Sequence, residues 1–327
     1  MKTAQRAARW IPGCALALML GIPGVDAAAQ EYPTRPIRII VPYAAGGFPD
    51  PISRTLAPHI SAVLGQPVLV DNKPGGGGVP AMTDLLRAPP NGYQMLIADA
   101  AQWAIQPALR PGVYDPLKDV TPLGMVATAI IFVTVREDSP AKTFQELVAM
   151  AKTKPGALSY GTSGIGSLHQ LFMETVKAQF GMDVVHVPYK GAVASVSALV
   201  AGDIPIVIAS TGTMAGHLQA GKVRRLLAST SHRLPSAPDV PATSDVGMPD
   251  SFPGDEGFIV HSGTPKPIVD KLTLAIAKAA QAPDFAKLME RLFAAVTYLP
   301  PAEMMEKIRA DQARYARAIK LAGVKAE

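Results

Sequence analysis

Short apolar runs along the chain alternate with longer stretches in which apolar residues recur every three or four positions. The runs predict buried strands, and the longer stretches predict amphipathic helices. In the first third of the chain, strands are expected at 37–41, 68–70 and 93–98, and helices at 51–64 and 79–87. We expect Asp50 to be the N-cap of the first helix, with Pro51 at its first position. This alternation predicts a parallel sheet with helices on both faces.

A second series of the same patterns begins near residue 130. Its strands are expected at 130–135, 157–160, 184–187, 204–209 and 225–228, and its helices at 144–153, 167–180 and 193–201. A proline-rich connector with no clear element follows at 231–253. The pattern ends with a strand at 258–260, a helix that Thr264 caps with Pro265 at its first position, and a helix at 301–321.

The two series predict an α/β fold with two Rossmann-like lobes. The first lobe is expected to comprise 30–128 plus 256–327, and the second to comprise 129–255. The chain then crosses between the lobes twice, near 127–129 and near 255–257, and two crossings form a hinge rather than a flexible tether. Open α/β sheets bind ligands at the carboxyl ends of their strands, so we expect a binding cleft between the lobes.

Each lobe has a glycine-containing turn between a strand and a helix, at residues 42–50 and 161–167. Such a turn directs backbone N–H groups and the positive end of a helix dipole toward one point, which favours an anion. Two turns that face each other would clamp a small carboxylate. The candidate ligand-binding residues lie at these turns and at two other strand ends: Tyr43, Gly46, Gly47, Phe48, Asp50, Asp99, Ser163, Gly164, Gly166, Ser167, His169 and Ser210.

Several of these candidates also have a purely structural interpretation. Asp50, Ser163 and Ser167 are residue types that cap helices. As a binding residue, Asp50 would instead accept a hydrogen bond from a ligand amine or hydroxyl, and Phe48 would stack on a ligand. If Asp50 faces the cleft, an amine-bearing acid is favoured as the ligand, and if Phe48 does, an aromatic acid is favoured.

Motifs of catalytic and cofactor-binding proteins are incomplete in this sequence. The segment 164–169 lacks the third glycine of a dinucleotide-binding fingerprint, and 161–167 lacks the lysine of a P-loop. Ile165 stands where a nucleophile elbow requires glycine. The six histidines have no metal-ligand spacing. We therefore expect no catalytic residue, no cofactor and no metal, and an exported α/β hydrolase-like enzyme stays open as the alternative.

Residues 1–29 have the pattern of a cleaved secretory signal peptide, with basic residues, a short apolar run and small residues in that order. Cys14 is the only cysteine, so cleavage would leave no thiol for disulfides or thiolate metal sites. Cleavage would also remove three basic residues and one acidic residue, and the formal net charge would fall from +5 to +3. A balance this small does not predict nucleic-acid binding.

Segments across nearly all of the mature chain resemble one family, the periplasmic solute receptors of tripartite tricarboxylate transporters, also called Bug receptors. The order and spacing of these segments carry the resemblance more than any single segment does. In the first lobe and near the end of the chain they are YPTRPIR at 32–38, VPY and GG with Asp50 in the first turn, LGQPV at 64–68, DNKPG at 71–75, NGY at 91–93 and GTP at 263–265. In the second lobe they are SGIGS at 163–167 and HVPYKG at 186–191.

The resemblance implies a type II periplasmic binding protein fold and a receptor rather than an enzyme. It also implies a monomeric periplasmic protein that binds a small mono-, di- or tricarboxylate, with amino and aromatic acids included. The carboxylate would be held by backbone groups, hydroxyls and water from the turns at 43–50 and 163–169. The loaded receptor would deliver it to a two-component membrane permease. A receptor for phosphate or sulfate is the other binding function that stays open.

The sequence departs from the family pattern at positions close to the expected cleft. Ala44 and Ala45 replace a usual Pro-Pro pair, and Phe48-Pro49 fills a variable position. Gln170 stands where many relatives have a second histidine. His261 and Ser262 replace a usual Ala-Pro pair. The first three of these differences predict that the ligand cannot be transferred from a relative.

Overall fold

The computed structural model describes residues 31–325, and all structural statements below concern that part of the chain. The predicted signal peptide lies outside the described residues. From Pro33 onward the chain forms one compact unit that contains two β-sheets. Among the described helices, none combines the length and apolar character needed to cross a bilayer.

The first sheet has six strands in the order β11-β4-β10-β3-β1-β2. Strands β1, β2 and β3 are parallel neighbours, whereas β10 runs antiparallel to both β3 and β4, and β11 is antiparallel to β4. The parallel arrangement predicted for the strands of the first third of the chain is therefore correct, and three antiparallel strands extend the sheet. The strands are β1 (Ile37–Val41), β2 (Val68–Asn72), β3 (Gln94–Ala98), β4 (Val120–Ala129), β10 (Gly254–His261) and β11 (Ala295–Leu299).

The second sheet has five strands in the order β7-β6-β8-β5-β9. Strand β6 is parallel to β7 and β8, and β5 is antiparallel to β8 and β9. Each sheet thus has a parallel core of three strands that is extended by antiparallel strands. The strands are β5 (Ile131–Arg136), β6 (Leu158–Thr162), β7 (Val184–Pro188), β8 (Ile206–Ser210) and β9 (Val223–Ala228).

Helices pack on both sheets, and buried aromatic and aliphatic residues fill the layers between them. Most helices begin and end within a few residues of the predicted positions. The helices are α1 (Pro49–Leu64), α2 (Val79–Arg87), α3 (Gln106–Leu109), α4 (Phe144–Thr153), α5 (Leu168–Phe180), α6 (Ala192–Ala201), α7 (Thr211–Gln219), α8 (Lys266–Ala279), α9 (Pro283–Arg291) and α10 (Pro301–Ala322). A π-helical turn at Ala101–Ile105 precedes α3, and it places Trp103 in the core, where its indole N–H donates to Asp311.

Two predicted N-caps are wrong. Helix α1 begins at Pro49 after the N-cap residue Phe48, so Asp50 lies inside the first turn. A proline at the first helical position is favourable because its missing N–H has no partner to lose there. Helix α8 likewise begins after Pro265 and not after Thr264.

Five of the strands and helices named above are missing from the sequence prediction, namely α3, β4, α7, α9 and β11. Strand β4 contains Pro122 and Gly124, which are residues that normally interrupt strands. Gly124 has a φ of +142°, and the carbonyl oxygen of Leu299 lies only 3.2 Å from where a Cβ would stand. The positive φ and this close approach together favour glycine at this position in the strand.

The two predicted crossings between the sheets lie side by side. Strand β4 ends at Ala129 in the first sheet, and β5 begins at Ile131 in the second. The chain returns at Gly254, where β10 pairs antiparallel with β4 and places Glu256 opposite Ala127. The sheets therefore change within one or two residues of the expected lobe boundaries, although the boundaries themselves stay predictions.

Candidate ligand-binding site

A cavity lies between the two sheets, and the open space inside it and at its mouth together is about 590 Å³. Its walls come from the strand ends and helix starts of both sheets. The candidates that line it are Tyr43, Gly47, Phe48, Asp99, Ser163, His169 and Ser210. The candidates that do not line it are Gly46, Asp50, Gly164, Gly166 and Ser167.

Asp50 does not line the cavity but holds the first glycine turn together. Its carboxylate accepts hydrogen bonds from the Gly46 N–H at 3.0 Å, the Asn72 amide at 3.0 Å and the Arg54 guanidinium at 3.0 Å. Burial raises the pKa of Asp50, but these hydrogen bonds outweigh burial and leave its pKa below the ordinary value. The structure therefore gives Asp50 a role in shaping the turn.

The first turn also has fewer free N–H groups than the sequence analysis assumed. The Gly47 N–H donates to the Ala44 carbonyl at 3.2 Å, and the Asp50 N–H donates to the Gly47 carbonyl at 3.1 Å. Pro49 and Pro51 have no N–H at all. This turn therefore lines the cavity mainly with Phe48, whose side chain is largely buried, and with the Tyr43 hydroxyl.

The second glycine turn is held by Ser167 and Gln170. The Ser167 hydroxyl caps α5 by accepting the Gln170 N–H at 3.2 Å, and it donates to the Gly164 carbonyl at 2.7 Å. The Gln170 side chain accepts the Gly166 N–H at 2.6 Å. Gly164 and Gly166 have φ values of +129° and +69°, which favour glycine. These residues build the turn, and it presents Ser163 to the cavity.

Ser163 and His169 form a hydrogen-bonded pair in the cavity wall, with 2.6 Å between Ser163 Oγ and His169 Nδ1. Burial lowers the pKa of His169 to about 4, so the imidazole is neutral at pH 7. The spacing is that of a nucleophile and a base, but a base with so low a pKa is weak. No carboxylate among the described residues accepts a hydrogen bond from His169, so the ring is not oriented as a catalytic triad requires. The pair is suited to donate and accept hydrogen bonds to a ligand.

Two further helices begin at the cavity. Helix α6 starts after Gly191 without a side-chain cap, and Gly191, Ala192 and Val193 line the cavity. The Ser210 hydroxyl caps α7 by accepting the Thr213 N–H at 3.4 Å. The N–H groups of a first turn have no partner within the helix, and they lie at the positive end of its dipole. Together with α5, these helices point three amino-terminal ends at the cavity from the second sheet.

The start of α6 is a part of the site that the sequence analysis missed. Its signal was present in the sequence, because Gly191 directly precedes an apolar stretch with helical spacing. The φ of Gly191 is +114°, a conformation that strongly favours glycine and that lets the chain turn from β7 into the helix at the cavity wall.

Two carboxyl groups occupy the opposite wall. Asp99 follows β3 and is 9% exposed, and Glu256 lies in β10 and is 4% exposed. The Tyr43 hydroxyl donates to Asp99 Oδ2 at 2.6 Å, and the Ala101 N–H donates to Asp99 Oδ1 at 2.7 Å. Burial raises the pKa of Asp99 to about 6, and this effect outweighs the two hydrogen bonds, which lower the pKa.

Glu256 has no such support. Its Oε2 atom is buried without a hydrogen-bond partner among the described residues. Burial raises its pKa well above the ordinary value, and the nearby Asp99 and Asp255 carboxyls raise it further. Asp255 itself lies 2.6 Å from the Lys307 amine and accepts a hydrogen bond from Thr128. Sequence reasoning missed Glu256, because two adjacent acids at the start of an apolar strand do not reveal which one faces a cavity.

The cavity lining, all of which lies in the described part of the chain, contains no lysine and no arginine. In residues 31–325 we also find no group of three or more histidine, cysteine or acidic side chains placed to hold a metal ion. The site therefore combines helix starts and hydroxyls on one wall with buried carboxyls on the other.

Known proteins were compared with the chain as a whole. The profile of the family described as "Tripartite tricarboxylate transporter family receptor" matches residues 52–324. A relative from Cupriavidus necator, described as a UPF0065 protein in the gbd 5'region, is 34% identical over 281 residues, which cover 86% of this chain and 85% of the relative. Protein BugT of Bordetella pertussis strain Tohama I is 30% identical over 258 residues, which cover 78% of this chain and 79% of BugT.

Solved structures give the same picture. The periplasmic binding protein BugD has a TM-score of 0.85 at 29% identity, covering 90% of this chain and 100% of BugD. R. palustris Rpa4515, solved with adipate, has a TM-score of 0.84 at 27% identity, covering 90% of this chain and 99% of that protein. MatC (Rpa3494) from Rhodopseudomonas palustris, solved with bound malate, has a TM-score of 0.83 at 26% identity, covering 88% and 100%.

These neighbours are solute-binding proteins and not enzymes, so the hydrolase alternative has no support among them. They also confirm the expected type II periplasmic binding protein fold with two α/β lobes. The family profile covers most of the chain, and the resemblance that its motifs indicated is confirmed. The chain belongs to the receptor family of the tripartite tricarboxylate transporters, the Bug receptors.

Proposed function

We propose that this protein is a periplasmic receptor that captures a small carboxylate in the cavity between its lobes. In this proposal the signal peptide at 1–29 is removed on export, and the mature chain acts as a monomer. It delivers the ligand to a two-component permease of the tripartite tricarboxylate type. The observation that carries the proposal is the meeting of the starts of α5, α6 and α7 at one cavity that Ser163 and His169 also line.

The strength of binding follows from these donors. A hydrogen bond to a carboxylate contributes roughly 1.5–3 kcal/mol. A helix start adds up to about 2 kcal/mol where it is partly buried. A few such contacts reach a micromolar affinity, about −8 kcal/mol. No basic side chain is needed, which agrees with the absence of lysine and arginine from the described lining.

Closure of the two lobes on the ligand is the mechanism that we propose. Ligand contacts with both walls favour the closed form, because a ligand stabilises only the state in which it makes those contacts. The paired crossings in β4 and β10 would serve as the hinge. One polar contact already joins the lobes, since Gln106 on the first-lobe side donates to the Ile165 and Gly166 carbonyls in the second glycine turn, at 3.2 Å each.

A proline substitution at one helix start tests the carboxylate site. Ala192→Pro removes a single N–H at the first position of α6, where proline is compatible with the helix. We expect carboxylate affinity, measured by calorimetry, to fall by about tenfold or more, while the far-ultraviolet circular dichroism is unchanged. Ser197→Ala on the exposed side of α6 is the matched control.

Two outcomes would contradict the proposal. Equal affinity in Ala192→Pro and the wild type would show that the start of α6 does not hold the anion. Displacement of every bound carboxylate by inorganic phosphate or sulfate in a thermal-shift competition would favour the phosphate or sulfate receptor instead.

A further inference from the structure

The wall formed by Asp99 and Glu256 is unusual for a site that receives an anion. Both carboxyls are more than nine-tenths buried, and both line the cavity. Asp99 is satisfied by Tyr43 and by the Ala101 N–H. Glu256 Oε2 has no partner in the described part of the chain. A buried polar atom without a partner is costly unless a ligand or water completes it.

The charge of this wall restricts the ligand. A dicarboxylate would bring a second negative charge into a cavity that already holds two buried acids and, among its described lining residues, no basic side chain. Like charges in a desolvated site oppose each other strongly. An ammonium group has the opposite effect, because it offers up to three hydrogen-bond donors and a positive charge.

We propose that the ligand is a small zwitterion, in which the helix starts of the second lobe hold a carboxylate and the Asp99–Glu256 pair holds an amine. This inference rests on the proposed function and narrows its ligand class. Phe48, Ile131, Leu168 and Val193 also line the cavity, and they favour an apolar body between the two charged groups. The class is therefore an apolar amino acid or a close analogue, and di- and tricarboxylates are excluded.

The protonation of the pair is compatible with this assignment. With a pKa of about 6, Asp99 is mostly ionised at neutral pH, whereas the raised pKa of Glu256 lets it keep a proton in the empty cavity. The other titratable groups nearby are Tyr43, which donates to Asp99, and Asp255, which is paired with Lys307. An arriving ammonium would favour ionised Glu256, so binding would release a proton.

Matched sets of compounds test the assignment. Each set contains an amino acid, the same skeleton without its amine, and the same skeleton without its carboxylate. The sets are alanine, propionate and ethylamine; leucine, 4-methylpentanoate and 3-methylbutylamine; and phenylalanine, 3-phenylpropionate and 2-phenylethylamine. Succinate represents the dicarboxylates. Calorimetry at neutral pH is expected to show at least one amino acid binding at least tenfold more tightly than both of its truncated partners and than succinate.

Two variants test whether Glu256 and Asp99 cause the preference for a ligand with an amine. In Glu256→Gln and Asp99→Asn we expect the affinity for the amino acid to fall about tenfold or more, and the affinity for the deaminated acid to stay equal or rise. Asp239→Asn, which removes an exposed acid that is not part of the cavity lining, is the control for overall charge. Circular dichroism and thermal unfolding show whether each variant is folded.

The outcomes separate this inference from the proposed function. If the deaminated acids or succinate bind as tightly as the amino acids, the zwitterion is wrong and the carboxylate receptor stands. If the amines bind and nothing with a carboxylate does, both are wrong. If no compound of the three sets binds, the apolar amino acid class is excluded. Unchanged amino-acid affinity in both acid variants would remove Asp99 and Glu256 from the site.

Discussion

Replacing Asp99 with asparagine should change the pH dependence of stability of the empty protein. The folded pKa of Asp99 is about 6, against an ordinary value of 3.8. The folded state therefore keeps this proton to higher pH than the unfolded chain does. Between these two values the folded state binds more protons, so stability falls as the pH rises, and the loss is complete above the folded pKa.

The size of the effect follows from that difference. One pKa unit corresponds to about 1.4 kcal/mol, so a shift of roughly two units makes the penalty at neutral pH about 3 kcal/mol at most. Asp99→Asn cannot ionise and avoids this penalty. Compared with the ionised carboxylate, it gives up one of two accepted hydrogen bonds, because one oxygen becomes an amide nitrogen, which costs about 1 kcal/mol above the folded pKa. The variant should thus be about as stable as the wild type near pH 4 and more stable near pH 7.

Urea unfolding of the ligand-free wild type and of Asp99→Asn at several pH values measures this difference in stability. The midpoint and slope together give the free energy of unfolding, and an unchanged slope shows that the unfolded state is comparable. The titratable groups that interact with Asp99 are Tyr43, Asp255, Glu256, Tyr114 and Tyr315. They are present in both proteins, so the difference between the two curves reports Asp99 together with the change that its loss causes in the pKa of Glu256. Parallel curves from about pH 4 to about pH 7 would refute a raised pKa at this position.

Three other changes test separate parts of the structure. Gln106→Ala removes the hydrogen bonds that join the lobes, and we expect ligand affinity to fall about tenfold. Because Gln106 is fully buried, its loss should also lower the free energy of unfolding by about 1–3 kcal/mol. An unchanged affinity would show that closure does not use this contact. Gly47→Asp adds a negative charge to the cavity wall and should abolish binding of a carboxylate while the protein stays folded, as calorimetry and circular dichroism would show. Asp50→Ala leaves the Gly46 N–H and the Arg54 and Asn72 groups without their acceptor, and it should lower the free energy of unfolding by about 1–3 kcal/mol in urea; wild-type stability would contradict its role in the turn.

Much of the fold follows from the sequence because its signals are local. The strand-to-helix turns at Tyr43 and Ser163 have glycine, a preceding apolar run and a following amphipathic stretch, and each signal lies within a few residues. Strand β4 was not predicted, because Pro122 and Gly124 interrupt its pattern and its pairing with the distant strands β10 and β11 is not visible in the local sequence.

The site was predicted less completely than the fold, for a reason that Asp50 and Glu256 illustrate. Both are acids beside apolar segments, and the sequence does not give the direction of either side chain. Asp50 turns back to its own loop because three donors surround it there. Glu256 reaches the cavity because side chains alternate along a strand, so that Asp255 contacts Lys307 and its neighbour faces the other side. Which of the two acids faces the cavity depends on the pairing of β10, and no local pattern encodes that pairing.

The uneven supply of donors on the two walls implies an order of events during capture. The first turn of α1 has spent its N–H groups on nearby carbonyls or lost them to proline. In contrast, α6 begins without a side-chain cap, and the capping hydroxyls of α5 and α7 each occupy one N–H. We therefore expect an incoming solute to dock first on the second lobe through its negative end. The first lobe would then complete the complex, and rapid-mixing fluorescence should resolve a concentration-dependent docking phase followed by a concentration-independent one.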